Sequence, residues 1–370
     1  MSSSSVVVRV NDWSLEPQLA RFAAALPSEG AMQLRLDRPL GFKASFDVEG
    51  ERAEIITALL GGEVVGLASR AERLCYLNGR PEPQTIGVLG NLRIRPDFRS
   101  TLTLARGLKA FHELDRQGRA KIYLAFVQSA NSSALALFER PRKLMPPCRP
   151  GGQLYTVFLR STSGSLGRSA PRRRFELRRA TKDDLPSVAK FLRSHGSNRQ
   201  FFPHYSLSDL LGETTRLRGL RPDDIILCSS GGALMGCTAR WSQSTFRRWV
   251  VERYAFGLKS VRPLYNALAP LFGRLRLPAE GELMQYDFLA LLCTANDDPD
   301  IVQSLVAEAA ADAEAPLVTT VHERDPRARQ LLSKSRFTIR SRMFIMQGDG
   351  CEPDLDSVDA RVPHIEAGTL

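Results

Sequence analysis

The chain has 370 residues, of which 43% are hydrophobic and 25% are charged, and its mean hydropathy is −0.20. This length predicts two domains of roughly 150–200 residues, and no apolar run approaches the ~18–20 residues that span a bilayer. The net charge of +11 indicates either a basic, solvated surface or an anionic partner: a polyphosphate ligand, a nucleic acid or a membrane surface.

Cysteine usage and the N-terminal residues both predict a cytoplasmic protein. The six cysteines are scattered, with no CxxC pair and no histidine at ligand spacing, so we expect neither a metal site nor a disulfide framework. The first residues, MSSSSVVVRVNDW, lack the basic-then-apolar layout of a signal peptide. No RNA- or DNA-binding signature is present, which argues against a nucleic-acid partner.

In chain order, the first half predicts a strand, a helix, a meander of three strands, a helix, a strand, a helix and a last strand. Gly61-Gly62, inside AEIITALLGGEVVGLASRAERLCYL, predicts a β-hairpin. IYLAFVQ and QLYTVFLR read as strands on either side of the helix NSSALALFER. This order predicts an α+β unit with a strand–turn–helix feature at its centre.

The central feature is IRPDFRSTLTLARGLKAFHEL. Apolar residues in it recur at helical spacing, which predicts one buried helix face: Leu104, Leu108, Phe111 and Leu114. Ser100 or Thr101 is placed to cap the helix. Arg99 stands directly before that cap, beside the positive end of the helix dipole. A bound anion would explain a cation at that position.

The second half resembles the first. Residues 161–174 (STSGSLGRSAPRRR) predict a basic Ser/Gly linker between a first domain, 1–160, and a second, 175–347. Residues 6–26 match 175–195 as strand, cap region and helix, and residues 122–144 match 317–339. We therefore predict a tandem duplication. Residues 348–370 carry six acidic residues against Arg361 alone and predict a tail that lies loosely on the surface or against the basic first domain.

About 25 extra residues in the second half correspond to an insertion at 245–278, where aromatic residues alternate with arginines. Three interpretations stay open: a helical hairpin over the second sheet, a cap over an acceptor groove between the domains, and a membrane-surface helix. Pro263 and Pro270 interrupt the long amphipathic pattern that a membrane helix needs. This interruption argues against a membrane partner.

The element order and three short stretches resemble the GCN5-related N-acetyltransferase (GNAT) superfamily, over about residues 6–160 and again over 175–347. The resemblance implies two tandem acyl-CoA N-acyltransferase-like domains, each a mixed, mostly antiparallel sheet flanked by helices. It also implies acetyl-CoA or another acyl-CoA as co-substrate and a small-molecule or peptide amine as acceptor.

The resemblance assigns the coenzyme residues of the first domain. The family's phosphate loop, Gln/Arg-x-x-Gly-x-Gly/Ala, corresponds to Arg99, Ser100, Thr101, Leu102, Thr103 and Leu104, with leucines in place of both glycines. Backbone N–H groups at a helix N-terminus can still hold a diphosphate. By resemblance, Leu92, Arg93 and Ile94 offer backbone groups to pantetheine. Asn131 and Phe138 match the family's Asn-x-x-Ala-x-x-Leu-Tyr-Glu pattern, and Asn131 either holds the pantetheine arm or caps its own helix.

The second domain departs further from the family. Asp297, Asp298 and Asp300 cluster where the phosphates should arrive. They are good helix caps, but they lie well within a Debye length of ~8 Å and would repel the coenzyme. We therefore expect coenzyme binding in the first domain only.

The sequence leaves the chemistry open. Phe138 replaces the tyrosine that usually protonates the leaving thiolate, so the donor is Tyr123, Tyr155, Ser129, Cys148 or water, or else the site is not catalytic. No general base stands out, because Asn91 and Arg93 lie where some relatives carry a carboxylate. Two hypotheses follow: an acyl-CoA-dependent N-acyltransferase, or a non-catalytic tandem module that binds ligands or acts as a scaffold. A weaker third hypothesis is an enzyme that transfers larger acyl or aminoacyl groups.

Overall fold

The structure is a computed structural model in which most of the chain is described. The described residues are 5–26, 32–99, 102–140, 144–159, 175–272, 276–311, 313, 315–349 and 355–370. The predicted linker, 161–174, and both predicted caps, Ser100 and Thr101, lie outside them.

The described part of the first half, which we call the first copy (residues 5–159), alternates strands and helices. Its elements are β1 (Val7–Val10), α1 (Glu16–Ala25), β2 (Met32–Asp37), α2 (Gly41–Phe46), β3 (Arg52–Leu60), β4 (Glu63–Cys75), β5 (Gln84–Ile94), α3 (Thr103–Gln117), β6 (Ile122–Gln128), α4 (Ser132–Glu139) and β7 (Cys148–Leu159).

The second copy (residues 175–347) follows the same plan with an insertion. Its elements are β8 (Glu176–Arg179), α5 (Leu185–Gly196), α6 (Leu207–Leu210), β9 (Ile225–Ser230), β10 (Ala233–Trp241), β11 (Arg248–Tyr254), α7 (Phe256–Leu268), β12 (Leu283–Met284), β13 (Asp287–Thr294), α8 (Pro299–Ala311), β14 (Leu317–His322), α9 (Ala328–Lys334) and β15 (Ser335–Gln347).

The predicted hairpin is confirmed. β3 and β4 pair antiparallel around Gly61 and Gly62, whose φ angles of 57° and 85° are those that a tight hairpin turn requires and glycine supplies without strain. The predicted meander, the central helix and the strands around α4 are all present. The sequence analysis missed β2 and α2 between the first helix and the meander.

The sheet order shows the duplication. From the outer edges inwards, the first copy runs β1-β3-β4-β5-β6 and the second runs β8-β9-β10-β13-β14. In each copy the last two of these strands are parallel and the other neighbours antiparallel. The fold class is therefore as predicted, a mixed and mostly antiparallel α+β arrangement in two tandem units.

The two copies exchange their last strands, which the sequence analysis did not predict. β15 of the second copy lies between β6 and β7 of the first, and β7 lies between β15 and β14. All three contacts are antiparallel, and β7 pairs with β15 from Leu159–Ser335 to Cys148–Met346. The expected two sheets are consequently one continuous sheet of twelve strands.

Helices cover both faces of this sheet. Side chains alternate between faces along a strand, and the core clusters put α3, α4, α8 and α9 on one face. The other face packs against α1 and α2 in the first copy and against α5 in the second. We call these the α3 face and the α1 face.

The insertion is only half helical, which corrects the predicted helical hairpin at 245–278. Its first part is β11, which pairs with β12 and with β2 of the first copy in a separate three-stranded sheet. α7 continues through Pro263 and leaves Phe256 and Leu264 largely exposed. None of the described helices is long and apolar enough to cross a membrane. The insertion therefore ties the copies together through β2.

The acidic tail is not loose, and that prediction was wrong. We call residues 355–370 the C-terminal segment, and most of its last nine residues are buried on the α1 face between the copies. Ile365 and Ala367 join two of the hydrophobic clusters. Arg73 of β4 donates two hydrogen bonds to Thr369, at 2.6 and 3.0 Å. Apolar residues among the acidic ones drive this burial.

Candidate functional site

A gap opens between β5 and β6. The two strands pair only from Gly87–Tyr123 to Leu89–Ala125; beyond these pairs, residues 90–94 of β5 are paired with β4 alone among the described strands. We call the space between residues 90–94 and the end of β6 the first opening. Strand edges that part in this way can hydrogen-bond a linear ligand in place of a neighbouring strand.

A β-bulge shapes the first opening. Between the pairs Leu67–Arg93 and Ser69–Gly90, one residue of β4 faces two of β5. Asn91, the first of the two, has φ 54°, a conformation that asparagine tolerates better than most residues. Its side-chain Nδ2 donates to Ser69 Oγ at 2.9 Å. The bulge turns the backbone of β5 and redirects its N–H groups.

The predicted phosphate loop leads from the first opening into α3. The helix begins at Thr103 with Leu102 in the N-cap position, later than predicted, and Leu102 makes no side-chain cap. Leu102 is 66% exposed, so this leucine does not close the turn. Arg99 Nε donates to Ile94 O at 3.4 Å, which places that guanidinium beside the end of β5. The helix N-terminus therefore offers N–H donors and a favourable dipole to an anion.

The side chains of the β5 residues that were predicted to face pantetheine lie in different places. Leu92 is 44% exposed beside the first opening. The Arg93 side chain instead turns to the end of α1, where Nη1 donates to Ala23 O at 3.0 Å and Leu26 O at 2.8 Å. These are carbonyls that a helix end leaves without intrahelical partners. Only the backbone of Arg93 is therefore available for a contact with pantetheine, the role that the resemblance implied.

Asn131 and Phe138 both have structural contacts. Asn131 Oδ1 accepts from Ala134 N at 3.0 Å and so caps α4. The Phe138 ring stacks on Phe344 of the exchanged strand β15, with ring centroids 4.9 Å apart. Cys148 Sγ lies 3.0 Å from Phe138 O. These contacts bind α4 to both copies.

The other candidate proton donors lie apart from one another. Tyr123 OH is buried on the α3 face, where it donates to Asp115 Oδ1 at 2.6 Å and accepts from Arg70 Nε at 2.9 Å. Burial, followed by the bond to Asp115, raises its pKa. Tyr155 OH donates to Gln153 Oε1 at 3.2 Å, and Ser129 lines an open groove beside α4. The Tyr123 hydroxyl is therefore engaged within the α3 face, whereas Ser129 directly follows the end of β6 that borders the first opening.

The sequence analysis missed a charged cluster on the α1 face. Arg38 Nη2 lies 3.4 Å from Asn91 Oδ1, and its guanidinium covers the Phe42 ring at 4.2 Å. Buried Glu49 lies 3.5 Å from Arg247 Nη1. Burial lowers the pKa of Arg38 to about 9, with Arg247 and Arg93 adding to the shift and Glu49 opposing it. Arg247 is about 200 residues away in sequence, and no local pattern links it to Arg38.

Glu366 of the C-terminal segment lies close to the first opening. It lines a small cavity, of about 10 Å³, together with Val88 of β5 and Leu124 of β6, which pair immediately before the strands part. Burial raises the Glu366 pKa to about 7, against the hydrogen bonds that it accepts from the Leu291 and Gly368 N–H groups. A volume of this size holds at most one water molecule.

The second copy repeats the bulge but fills the gap. β13 and β14 pair only at Asp287–Leu317 and Phe288–Val318, and Leu291 has φ 54° at an equivalent bulge. We call the space beyond these pairs the second opening. Leu291 N donates to Glu366 Oε2 at 3.0 Å, and Thr320 Oγ1 donates to Ile365 O. The C-terminal segment therefore occupies the second opening.

The start of α8 is also occupied by the chain itself. Asp298 Oδ1 accepts from Asp300 N at 2.8 Å, as an N-cap does. Arg199 pairs with Asp297 and, at 2.8 Å, with Asp325. The predicted acidic cluster thus provides caps and ion pairs. Among the described residues, no group of three His, Cys, Asp or Glu side chains is arranged to hold a metal.

Solved structures share this fold. A tandem GNAT protein from the clavulanic acid biosynthesis pathway is 11% identical, with 94% of this chain and 100% of that one covered and a TM-score of 0.53. Saccharomyces cerevisiae N-myristoyltransferase with bound myristoyl-CoA is 8% identical, with 94% and 79% covered and a TM-score of 0.57. A GCN5-related N-acetyltransferase from Kribbella flavida is 12% identical, with 93% and 71% covered and a TM-score of 0.50.

No protein-family model and no curated protein matches the chain. At these identities the likeness to solved structures shows the fold, so the chain has the tandem GNAT fold. The low identity agrees with the degenerate motifs on which the sequence resemblance rests.

Proposed function

We propose that this protein is an acyl-CoA-dependent N-acyltransferase that binds its coenzyme in the first copy only. One observation carries the proposal: a parted, bulged strand that ends at Ile94 is followed in the chain by a helix that begins at Thr103 and whose N-cap residue, Leu102, makes no side-chain cap. The pantetheine arm would lie along residues 90–94, and the diphosphate would meet the N–H groups at the start of α3. Solved neighbours described as N-acetyltransferases, and one with bound myristoyl-CoA, support an acyl-CoA ligand.

The second opening suggests where the thioester lies in the first. There, the N–H of bulge residue Leu291 donates to a carboxylate oxygen of Glu366. The equivalent N–H belongs to Asn91 in the first copy, and we assign it to the thioester carbonyl oxygen. A fixed donor at that oxygen would stabilise the negative charge that develops when an amine attacks. Holding both reactants in place contributes further.

The test is calorimetric titration with acetyl-CoA, myristoyl-CoA and ADP. We expect one acyl-CoA site per chain and tighter binding than for ADP. Arg99→Glu should weaken acetyl-CoA binding at least about tenfold, because it places a negative charge beside the diphosphate. Arg329→Glu, the same charge change at an exposed position of α9, is the matched control and should leave binding unchanged. Two sites per chain, or no preference over ADP, would contradict the proposal.

A non-catalytic ligand-binding or scaffold role is the second candidate. It is favoured by Phe138, whose ring lacks a proton to donate and is stacked on Phe344. A thiol assay of CoA release with a panel of amines separates the candidates. Acetyl-CoA binding without release for any amine would favour the second.

A further inference from the structure

The α1 face beside the first opening holds a group of buried and half-buried arginines together with the carboxylates that face them. Arg38, Arg73 and Arg247, which we call the arginine cluster, all interact with Glu49, the one carboxylate that they share. Arg247 Nη2 also donates to Gly368 O at 2.6 Å. Because carboxylates of the chain already face these arginines, the inference rests on the N–H donors that the arginines leave unused.

Arg38 is the member nearest the proposed thioester. Its Nη1 contact with Leu36 O is 3.3 Å and its Nη2 contact with Asn91 Oδ1 is 3.4 Å, both at the long end for N–H···O bonds. Its Nε is buried and has no hydrogen-bond partner among the described residues. A guanidinium has five N–H donors arranged to bind a carboxylate in two-point fashion. Arg38 therefore has unused donors within reach of the bulge residue.

A second arginine supports the same conclusion. Arg73 uses its two terminal nitrogens on Thr369, while its buried Nε has no partner in the described part of the chain. Arg38, which is partly buried, and Arg73, which is buried, thus each have a buried guanidinium Nε without a partner among the described residues.

We propose that the acceptor is an amino acid, and that Arg38 binds its carboxylate while its amine faces the thioester at Asn91. This rests on the proposed function. Arg38 would hold the carboxylate and Asn91 the thioester that the amine attacks. Because these two residues are in contact, the amine and the carboxylate of the acceptor can be only a few bonds apart, as in an α- or β-amino acid. The arginine thus determines specificity by recognising an anionic acceptor and leaving a neutral amine without a partner.

The transfer step balances without a further reactant. The neutral amino nitrogen attacks the thioester carbon, a C–N bond forms and the C–S bond breaks. The nitrogen loses one proton as the amide forms, and CoA leaves as the thiol after its thiolate takes up one proton. The carboxylate on Arg38 is unchanged throughout.

The test measures product binding, so it does not require turnover. N-acetylglycine and N-acetylglycinamide, with a panel of N-acetyl amino acids and their amides, are titrated into the CoA-saturated protein by calorimetry. We expect at least one acid to bind about tenfold or more tighter than its amide. Arg38→Gln should abolish that preference and Arg38→Lys should keep part of it. In a turnover assay Arg38→Gln should raise KM for the amino acid more than it lowers kcat.

The controls separate this inference from the function on which it rests. Arg329→Gln, at an exposed position, should keep the preference, and thermal unfolding should show that each variant is folded. One outcome separates the two proposals: the protein binds acetyl-CoA, but it binds each acid no more tightly than its amide, or binds none of these ligands. This outcome would overturn the amino-acid proposal and leave the acyltransferase proposal standing. A folded Arg38→Gln protein that keeps the preference would overturn the role of Arg38. A protein that binds no acetyl-CoA would overturn both.

Discussion

The two copies have the same bulged strand and differ in what lies beside it. In the first copy the strands part after Leu89, and the N-cap residue of α3, Leu102, makes no side-chain cap. In the second, Glu366 accepts from the bulge N–H and Asp298 caps α8. The comparison teaches that the bulge N–H and the helix start contact carboxylates in the copy where they are occupied. The chain uses its own carboxylates to satisfy these N–H groups in one copy.

The largest expected effect comes from emptying the second opening. Deleting residues 362–370 removes buried Ile365 and the acceptors of Arg73, Arg247 and the Leu291 N–H. Burial of an isoleucine contributes about 2 kcal/mol, and each buried donor left without a partner costs about 1–3 kcal/mol. We expect the deletion to lower the free energy of unfolding, measured by urea unfolding, by about 5 kcal/mol. Removing only Leu370, which is partly exposed, is the control; equal stability of both variants would contradict the role of the segment.

The next effect is the pH dependence that Glu366 adds. Its pKa rises from the ordinary glutamate value of 4.5 to about 7 on folding, mainly through burial. Because the folded state keeps the proton longer than the unfolded state, stability should fall as pH rises from about 4.5 to 7, by about 3 kcal/mol.

Glu366→Gln removes this contribution to the pH dependence of stability, since a glutamine does not titrate. The difference between wild type and variant, measured by urea unfolding at several pH values, should shrink or reverse in favour of the variant towards pH 7. A difference that stays constant from pH 4.5 to 7 would show that Glu366 titrates normally.

The smallest effects come from moving a cap between the copies. Leu102→Asp should give α3 the cap that α8 has and stabilise the protein by about 1 kcal/mol. It should also weaken acetyl-CoA binding about tenfold, because the new carboxylate competes with the diphosphate for the same N–H groups. Thermal unfolding and calorimetry measure the two effects on one sample.

Asp298→Ala is the matched change in the second copy. It should cost about 1 kcal/mol through the lost cap and leave acetyl-CoA binding unchanged, since the C-terminal segment still fills the second opening. If Asp298→Ala altered coenzyme affinity as much as Leu102→Asp, the assignment of binding to the first copy would be wrong.

Local patterns predicted what local interactions determine. The hairpin at Gly61-Gly62 and the helix after Arg99 follow from turn chemistry and periodicity, and both are present. The resemblance predicted the fold that the comparisons confirm. β2 was missed because it pairs with β11, more than 200 residues away, so no neighbouring segment marks it as a strand.

Long-range contacts explain the misses at the site. Glu366 was read as part of a solvated acidic tail because its burial depends on groups from both copies. Ile365 and Ala367 beside it were the available signal. Arg38 gave no signal, since its neighbours Asn91 and Arg247 come from distant segments. Whether Arg99 and Asn131 bind coenzyme stays a prediction.

The exchange of β7 and β15 makes each half of the chain a structural requirement of the other. Without β15, the edges of β6 and β7 would be left unpaired in water, which a folded sheet tolerates poorly. A gene encoding either half alone should therefore yield an insoluble product, whereas two separate genes expressed together could restore a working pair. This dependence gives the second half an indispensable contribution that needs no ligand, because it supplies a strand.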